Sequence, residues 1–219
     1  MRKSKMMVGS AIMLAVLLVA GGTLAWFTAT AEPVVNEFTA GTVEIELVDE
    51  FDGAPNVNPG DCYKKVIAVK NTGTKKAYVR IKADAVFDGG QSTHVLNYGI
   101  DGPGRWNLLD GWTQKGEYFY YNRIVHPGKY TQPLLKCNRI CFDGPSMDNT
   151  YQGAKLDITI GAEAIQATNG AAQAEWGVSF PTIKPYSNEE PVDEMLTEQD
   201  LRNIIAEEDA AFEALGIEE

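Results

Sequence analysis

The residues best suited to chemistry in this 219-residue chain are three cysteines and two histidines. Cys62, Cys137, Cys141 and His126 are the right types for a Cys₃His zinc site, in which three thiolates and an imidazole surround the metal. The sequence does not favour such a site, because no two of the cysteines form a C-x-x-C pair. One disulfide with a free thiol, and three reduced thiols, both remain open.

Other catalytic patterns are missing from the sequence. His94 and His126 do not form the H-E-x-x-H spacing that places two imidazoles on one zinc. There is no Gly-x-Ser-x-Gly elbow and no glycine-rich phosphate loop followed by Lys and Ser or Thr. The acidic run Asp49–Gly53 lacks the full set of alternating oxygen ligands of a calcium loop. The sequence therefore predicts no enzyme, no cofactor and no bound metal.

Alternation of apolar and polar residues predicts that the body of the chain is β-structure. The strand candidates are TVEIELV (42–48), KKVIAVKN (64–71), AYVRIKADAVF (77–87), EYFYYNRIV (117–125) and KLDITIGAEAIQA (155–167). Turn sequences such as NPGD, NTGTK and HPGK separate them. We expect an all-β fold over 39–184, a jelly-roll-like antiparallel β-sandwich with short helical insertions, one of them at 169–177.

The N-terminus has the pattern of a secretory signal. Arg2, Lys3 and Lys5 precede an uncharged, largely apolar stretch from Met6 to Ala31. Cleavage after Ala25 would leave Trp26 as the new N-terminus, and cleavage after Ala31 would leave Glu32. A retained membrane anchor is the alternative, but the glycine pair at 21–22 interrupts the apolar run. We predict export, with the membrane involved only before cleavage.

The C-terminal region, residues 185–219, is predicted to be an acidic linker followed by an amphipathic helix. Residues 188–219 hold 12 acids and one base, which accounts for the whole net charge of −11. Thr197 can cap a helix whose apolar positions are Leu201, Ile205, Phe212 and Leu215. This face could dock on the domain or on a partner, or the segment could be a solvated acidic tail. No basic patch for nucleic acid is present.

Several motifs, in order, resemble one family of Gram-positive surface proteins. They are GGTLAWF, NEFTAGTVEIEL, NPGDCYKKVIAVKNTGTKKAYVRIKAD, GWTQKGEYFYYNRIVHPGKYTQPLL and YQGAKLDITIGAEAIQATNGAAQAEWG. Together they cover nearly all of residues 1 to about 180, and they are similar to the TasA/camelysin family. The acidic tail and the cysteines are not part of the recognised pattern.

The resemblance implies a jelly-roll sandwich, export by a signal peptidase of the SipW type, and assembly into fibres of the extracellular biofilm matrix or cell surface. It implies cleavage between Ala25 and Trp26. It also implies self-association head to tail, in which an N-terminal segment at 26–38 fills a sheet of the neighbouring copy. The donor residues implied are Trp26, Phe27, Thr28, Ala29, Thr30, Ala31 and Glu32.

The composition of this donor segment suits strand donation, because its aromatic residues supply apolar area and its threonines favour extended backbone. Pro33 cannot donate a ladder hydrogen bond, so regular pairing should end near Glu32. Two other functions remain open. Some relatives are labelled metalloproteases, and a monomeric accessory protein could anchor or cap such a fibre through the acidic helix.

Overall fold

Two β-sheets packed face to face form the body of the protein. A computed structural model describes residues 41–51, 57–179 and 193–217. The strands are β1 Ile45–Phe51, β2 Cys62–Asn71, β3 Ala77–Phe87, β4 Leu96–Tyr98, β5 Trp112–Lys115, β6 Tyr118–Tyr121, β7 Ile124–Val125, β8 Arg139–Phe142, β9 Leu156–Gln166 and β10 Asp193–Glu194. The helices are α1 Ala171–Trp176 and α2 Glu198–Glu213, with short 3₁₀ turns at Thr93–Val95, Lys136–Asn138, Gly144–Ser146 and Asn149–Tyr151.

The sheet order defines a sandwich. The first sheet runs β1-β2-β8-β4 and is antiparallel throughout. In the second sheet, β3 pairs along its whole length with β9 on one side, while β6 and β7 lie on its other side. β5 follows β6, and the two-residue strand β10 pairs in parallel with β7. The prediction of an all-β sandwich with short helical parts is confirmed.

β2 is apolar on both faces because both of its faces are covered. Ile67 and Val69 belong to the main core between the sheets, whereas Val66 and Ala68 pack on the opposite side with residues of α2. A strand covered on both sides needs a continuous apolar run rather than strict alternation. This explains the VIAV sequence at the centre of β2.

β3 supplies the fully buried centre of the second sheet. Its inward-facing Val79 and Ile81 are completely buried, and outward-facing Arg80 ion-pairs with Glu163 of β9 at 2.6 Å. Arg80 also stacks on Tyr118 and Trp176, with its guanidinium carbon 3.9 and 4.5 Å from the two ring centroids. The predicted helical insertion thus forms as α1 and contributes Trp176 to an aromatic cluster on the outer face of this sheet.

The C-terminal region docks on the sandwich. α2 begins at a capping box, in which the Thr197 hydroxyl accepts from the Asp200 backbone N–H and the Asp200 carboxylate accepts from the Thr197 N–H. Its apolar stripe covers the outer face of the first sheet. Residues 193–217 therefore pack with the domain rather than forming a free acidic tail.

Candidate subunit interface

The longest unpaired sheet edge among the described residues is that of β9. Eleven consecutive pairs join β9 to β3, from Leu156 opposite Phe87 to Gln166 opposite Ala77, and within the described ranges no strand pairs with its other side. Such an edge presents a row of unpaired backbone N–H and C=O groups to another chain. Nothing in its sequence protects it in the usual way, because it contains no proline and no inward-pointing charge.

The side chains of β9 alternate between the core and solvent. Those facing the core are Leu156, Ile158, Ile160, Ala162 and Ala164, and all of them are only partly buried. The inward side chains of neighbouring β3, by contrast, include completely buried residues. Apolar surface beside this edge therefore remains uncovered.

β1 forms the facing edge of the first sheet and contacts β9. Ile45 and Leu47 of β1 pack on the main core and are partly buried, whereas Phe51 at its end is 48% exposed. Asp49, which also points inward, forms an ion pair with Lys65 of β2. The inward side of β1 is thus less uniformly apolar than that of β9.

A cavity of about 900 Å³ lies between the two sheets at one end of this open side. Its lining includes Phe51, Tyr63, Phe87, Leu156 and Ile158. Aromatic and aliphatic side chains from both sheets, together with polar ones such as Lys65, therefore surround a space beside the first residues of β9. An apolar segment entering there would bury surface that is partly exposed in the single chain.

The chain reaches β1 from the opposite end of the sandwich. The Thr42 N–H donates to the Thr74 hydroxyl at 2.9 Å, and the Thr42 carbonyl accepts from Lys75 N at 3.1 Å, so residue 42 lies against the β2–β3 turn. Gly73 permits this approach, because a Cβ there would lie 2.6 Å from the Thr42 carbonyl oxygen. The donor residues 26–32 and the cleavage site between Ala25 and Trp26 lie outside the described residues.

The residues of the predicted tail face are divided by the structure. Leu201 and Ile205 are buried against β2, and Phe212 is buried against the pair Cys62 and Cys141. Their partner is therefore the chain's own sandwich. Leu215, in contrast, is 54% exposed because α2 ends at Glu213 and the chain turns before it.

Charged side chains fix α2 to the first sheet. Asp209 accepts from Lys64 Nζ at 2.6 Å and from Arg139 Nη1 at 2.9 Å. The Arg139 guanidinium carbon also lies 4.4 Å from the centroid of the Phe212 ring. The acidic character of the C-terminal region is thus partly used to bind bases of the sandwich.

A second attachment precedes the helix and was not foreseen from the sequence. Glu194 is 7% exposed, and its carboxylate accepts from the Tyr121 hydroxyl at 2.7 Å and from Arg123 Nη1 at 2.9 Å. Burial, followed by the negative charge of Glu194, raises the pKa of Tyr121 well above its ordinary value. Asp193 accepts from Lys76 at 2.8 Å and lies 2.7 Å from His126 Nε2. Both contacts lower the pKa of Asp193, and the contact with Lys76 has the larger effect.

Cys62 and Cys141, opposite each other in β2 and β8, form a disulfide, and Cys137 is a free thiol. Of the two cysteine alternatives, the structure therefore has one bridge with one free thiol. The Cys137 N–H donates to Glu208 Oε2 at 2.6 Å, and burial together with the Glu208 charge raises the pKa of the Cys137 thiol.

The donor set needed for a Cys₃His zinc centre does not fit these residues. The sulfurs of Cys62 and Cys141 are joined in the disulfide, and the His126 ring forms a hydrogen bond with the Asp193 carboxylate. The described ranges contain no group of three or more His, Cys, Asp or Glu side chains placed to hold one metal ion. Neither helix described here has both the length and the apolar character needed to cross a membrane.

Comparison with known proteins gives one family match. Residues 1–94 match the family model described as camelysin metallo-endopeptidase. The resemblance to the TasA/camelysin family is confirmed over this part of the chain, which extends from the predicted signal sequence through β1, β2 and β3. No curated protein matches the chain.

Proposed function

We propose that this protein is a secreted structural subunit that polymerises head to tail into extracellular fibres. The N-terminal segment 26–32 of one copy adds to the open side of the next copy's sandwich. The observation that carries this proposal is the unpaired edge of β9, whose first residues border a cavity lined in part by aromatic and aliphatic side chains. Such an edge recruits an extended peptide through main-chain hydrogen bonds, and the apolar groove selects its side chains.

The leading segment has the composition of such a peptide. Trp26 and Phe27 provide apolar area, and Thr28 and Thr30 favour extended backbone. Cleavage after Ala25 would place this segment at the start of the secreted protein. Because head-to-tail donation joins two different surfaces and does not close on itself, repeated donation gives filaments rather than dimers.

Three further observations support secretion into the matrix or onto the cell surface. The first residues have the order of a secretory signal: bases, an apolar stretch and small residues. The Cys62–Cys141 disulfide is typical of an oxidising, extracytoplasmic compartment. The match over residues 1–94 links the chain to a family of exported surface proteins.

Assembly should be compared for chains that begin at Trp26 and at Pro33. We expect fibres by electron microscopy from the first and a folded monomer from the second, with the two giving matching far-ultraviolet circular dichroism after correction for length. The matched control keeps the full length but replaces residues 26–32 with glycine and serine. It should also stay monomeric. Fibres from the chain that begins at Pro33 would overturn the role of the segment.

The family description favours one alternative, a surface metallo-endopeptidase. This function predicts stoichiometric zinc in the purified protein and casein hydrolysis that a chelator abolishes. The two functions can therefore be separated on one preparation, by metal analysis and a protease assay beside electron microscopy. Zinc-dependent hydrolysis without fibres would replace the structural proposal.

A further inference from the structure

We propose that the donor segment pairs antiparallel with β9 in one register, with Phe27 opposite Ile160, Ala29 opposite Ile158 and Ala31 opposite Leu156. This inference rests on the proposed function and specifies which atoms make the contact. It follows from the hydrogen-bond pattern of β9, the two faces of the donor, the direction of approach and the charges along the edge.

Two backbone hydrogen bonds show which residues of β9 have free groups at the edge. Asp88 N donates to Lys155 O at 3.0 Å, and Ala167 N donates to Lys76 O at 2.9 Å. Hydrogen-bonded pairs recur every second residue in an antiparallel ladder. The odd-numbered residues of β9 therefore bond to β3, and the even-numbered ones direct their N–H and C=O groups toward the open edge. The same even-numbered residues face the core with their side chains.

Over residues 27–32 the donor segment has one apolar and one polar face. The odd-numbered residues there are Phe27, Ala29 and Ala31, and the even-numbered Thr28, Thr30 and Glu32 are polar, so that Trp26 is the one apolar residue on the even-numbered face of the segment. Strand side chains alternate between faces, so the odd-numbered set faces the core when the segment extends the second sheet. Directly opposite residues of two paired strands point to the same face, which matches the odd donor residues to the even residues of β9.

The position where the chain joins β1 sets the direction. Residue 42 lies at the β2–β3 turn, the end of the sandwich where β9 finishes at Gln166. When successive subunits point the same way, a segment leaving one copy at this end reaches the next copy at its opposite end. That opposite end is where β9 begins, at Leu156. The N-terminus of the donor therefore lies farthest from Leu156 along β9, and the donor runs antiparallel to β9.

Charge and proline then select the register, because only shifts of two residues keep the apolar face inward. The proposed register places Glu32 beside Lys155 and Thr28 beside Thr159, both favourable cross-strand pairs. Pro33 falls beyond the first residue of β9, where no ladder hydrogen bond is required. A shift of two residues toward Gln166 would instead place Glu32 beside Asp157, a like-charge pair.

The cavity supports the same register independently. Leu156 and Ile158 line it, together with aromatic residues of the facing strands. In the proposed register, Ala31 and Ala29 lie opposite these two residues, so the donor covers the half of β9 beside the empty space. In a register with Phe27 opposite Ala164, Pro33 and the residues after it would lie opposite this half of β9.

Disulfide cross-linking between subunits tests the register. Thr28 and Thr159 would form a non-hydrogen-bonded pair on the exposed face, with Cα atoms about 4.5 Å apart, a separation that a disulfide can span. In a Cys137→Ser background of the chain beginning at Trp26, the variant Thr28→Cys/Thr159→Cys should give a ladder of covalent multimers after oxidation of fibres. The matched controls Thr28→Cys/Gly161→Cys and Thr28→Cys/Asp157→Cys should remain mostly monomeric on a non-reducing gel.

The outcomes separate this inference from the proposed function. A ladder from either control, or fibres without any ladder from the Thr159 variant, would overturn the register while leaving fibre formation intact. Absence of fibres from the unsubstituted protein would overturn both. If the cysteine variants themselves fail to assemble, charge-reversal variants test the register instead. Lys155→Glu should raise the critical concentration for fibre assembly about threefold, and adding Glu32→Lys in the same chain should restore the original value. Absence of rescue would overturn the register.

Discussion

The carboxylate of Glu194 lies 2.9 Å from the guanidinium Nη1 of Arg123, although 71 positions separate the two residues in the sequence. The same oxygen accepts from the buried Tyr121 hydroxyl. This contact fixes β10 beside β7, directly before the chain turns into α2. A single buried acid thus attaches the C-terminal region to the sandwich.

Replacing Glu194 with glutamine should destabilise the domain by about 1–3 kcal/mol, because the partly buried Arg123 guanidinium and the buried Tyr121 phenol lose a charged acceptor. Urea unfolding followed by tryptophan fluorescence measures this change. The control Glu207→Gln alters an exposed acid of α2 and should stay within about 0.5 kcal/mol of the wild type. Equal effects of the two substitutions would show that Glu194 acts only through net charge.

The contribution of Asp193 should depend on pH. Lys76 and His126 lower its pKa from 3.8 in the folded protein, so the stabilisation is fully present at neutral pH. It is lost as the pH falls through the lowered pKa, because the acid is then protonated in both states. Asp193→Asn should therefore lower the urea midpoint at pH 7, and this effect should shrink as the pH falls below 3.8. Since Asp193 is largely exposed, we expect less than about 1 kcal/mol. An effect that does not decrease as the pH is lowered would contradict this explanation.

The docking of α2 should depend on Phe212 and not on Leu215. Phe212 is 2% exposed, and its truncation to alanine should cost about 3–5 kcal/mol. Leu215→Ala removes a similar apolar group from the same segment, but this side chain is 54% exposed. Its effect should stay below about 0.5 kcal/mol. Guanidinium unfolding of the two variants distinguishes a docked helix from a solvated one, in which neither change would matter.

Removing the disulfide should lower stability substantially. Cys62 and Cys141 are separated by 79 residues, and closing a loop of this length stabilises a fold by about 4 kcal/mol in the chain-entropy model. The variant Cys62→Ala/Cys141→Ala should unfold at correspondingly lower denaturant. Cys137→Ser, which removes the free thiol, serves as the matched control and should change the midpoint much less. A mass shift of two alkylated cysteines only after reduction would verify the pairing.

The sequence predicted those elements whose signal is local. Alternation in AYVRIKADAVF and KLDITIGAEAIQA predicts strands, and these segments contain β3 and β9. The strand predicted at TVEIELV overlaps β1, which begins at Ile45 and continues to Phe51. Thr197 was predicted to cap a helix, and it does so with Asp200. In both cases, neighbours within a few residues of one another determine the structure.

The remaining features depend on contacts between distant residues, which a single sequence does not contain. Glu194 has the same chemistry as the exposed acids around it, and only Tyr121 and Arg123 distinguish it. Likewise, the pairing of Cys62 with Cys141 depends on the register of β2 against β8. The sequence of the C-terminal region leaves a solvated tail and a docked helix both open, because the bases Lys64 and Arg139 that bind Asp209 lie far away in the chain.

The cover that α2 places over Val66 and Ala68 has a consequence for biosynthesis. The strand carrying these residues is among the first made, and its shield is made more than 130 residues later. A polypeptide that lacks α2 therefore exposes this apolar surface to water. Burial of the outer face of this sheet thus depends on α2, and copies truncated before α2 should be prone to aggregation or proteolysis.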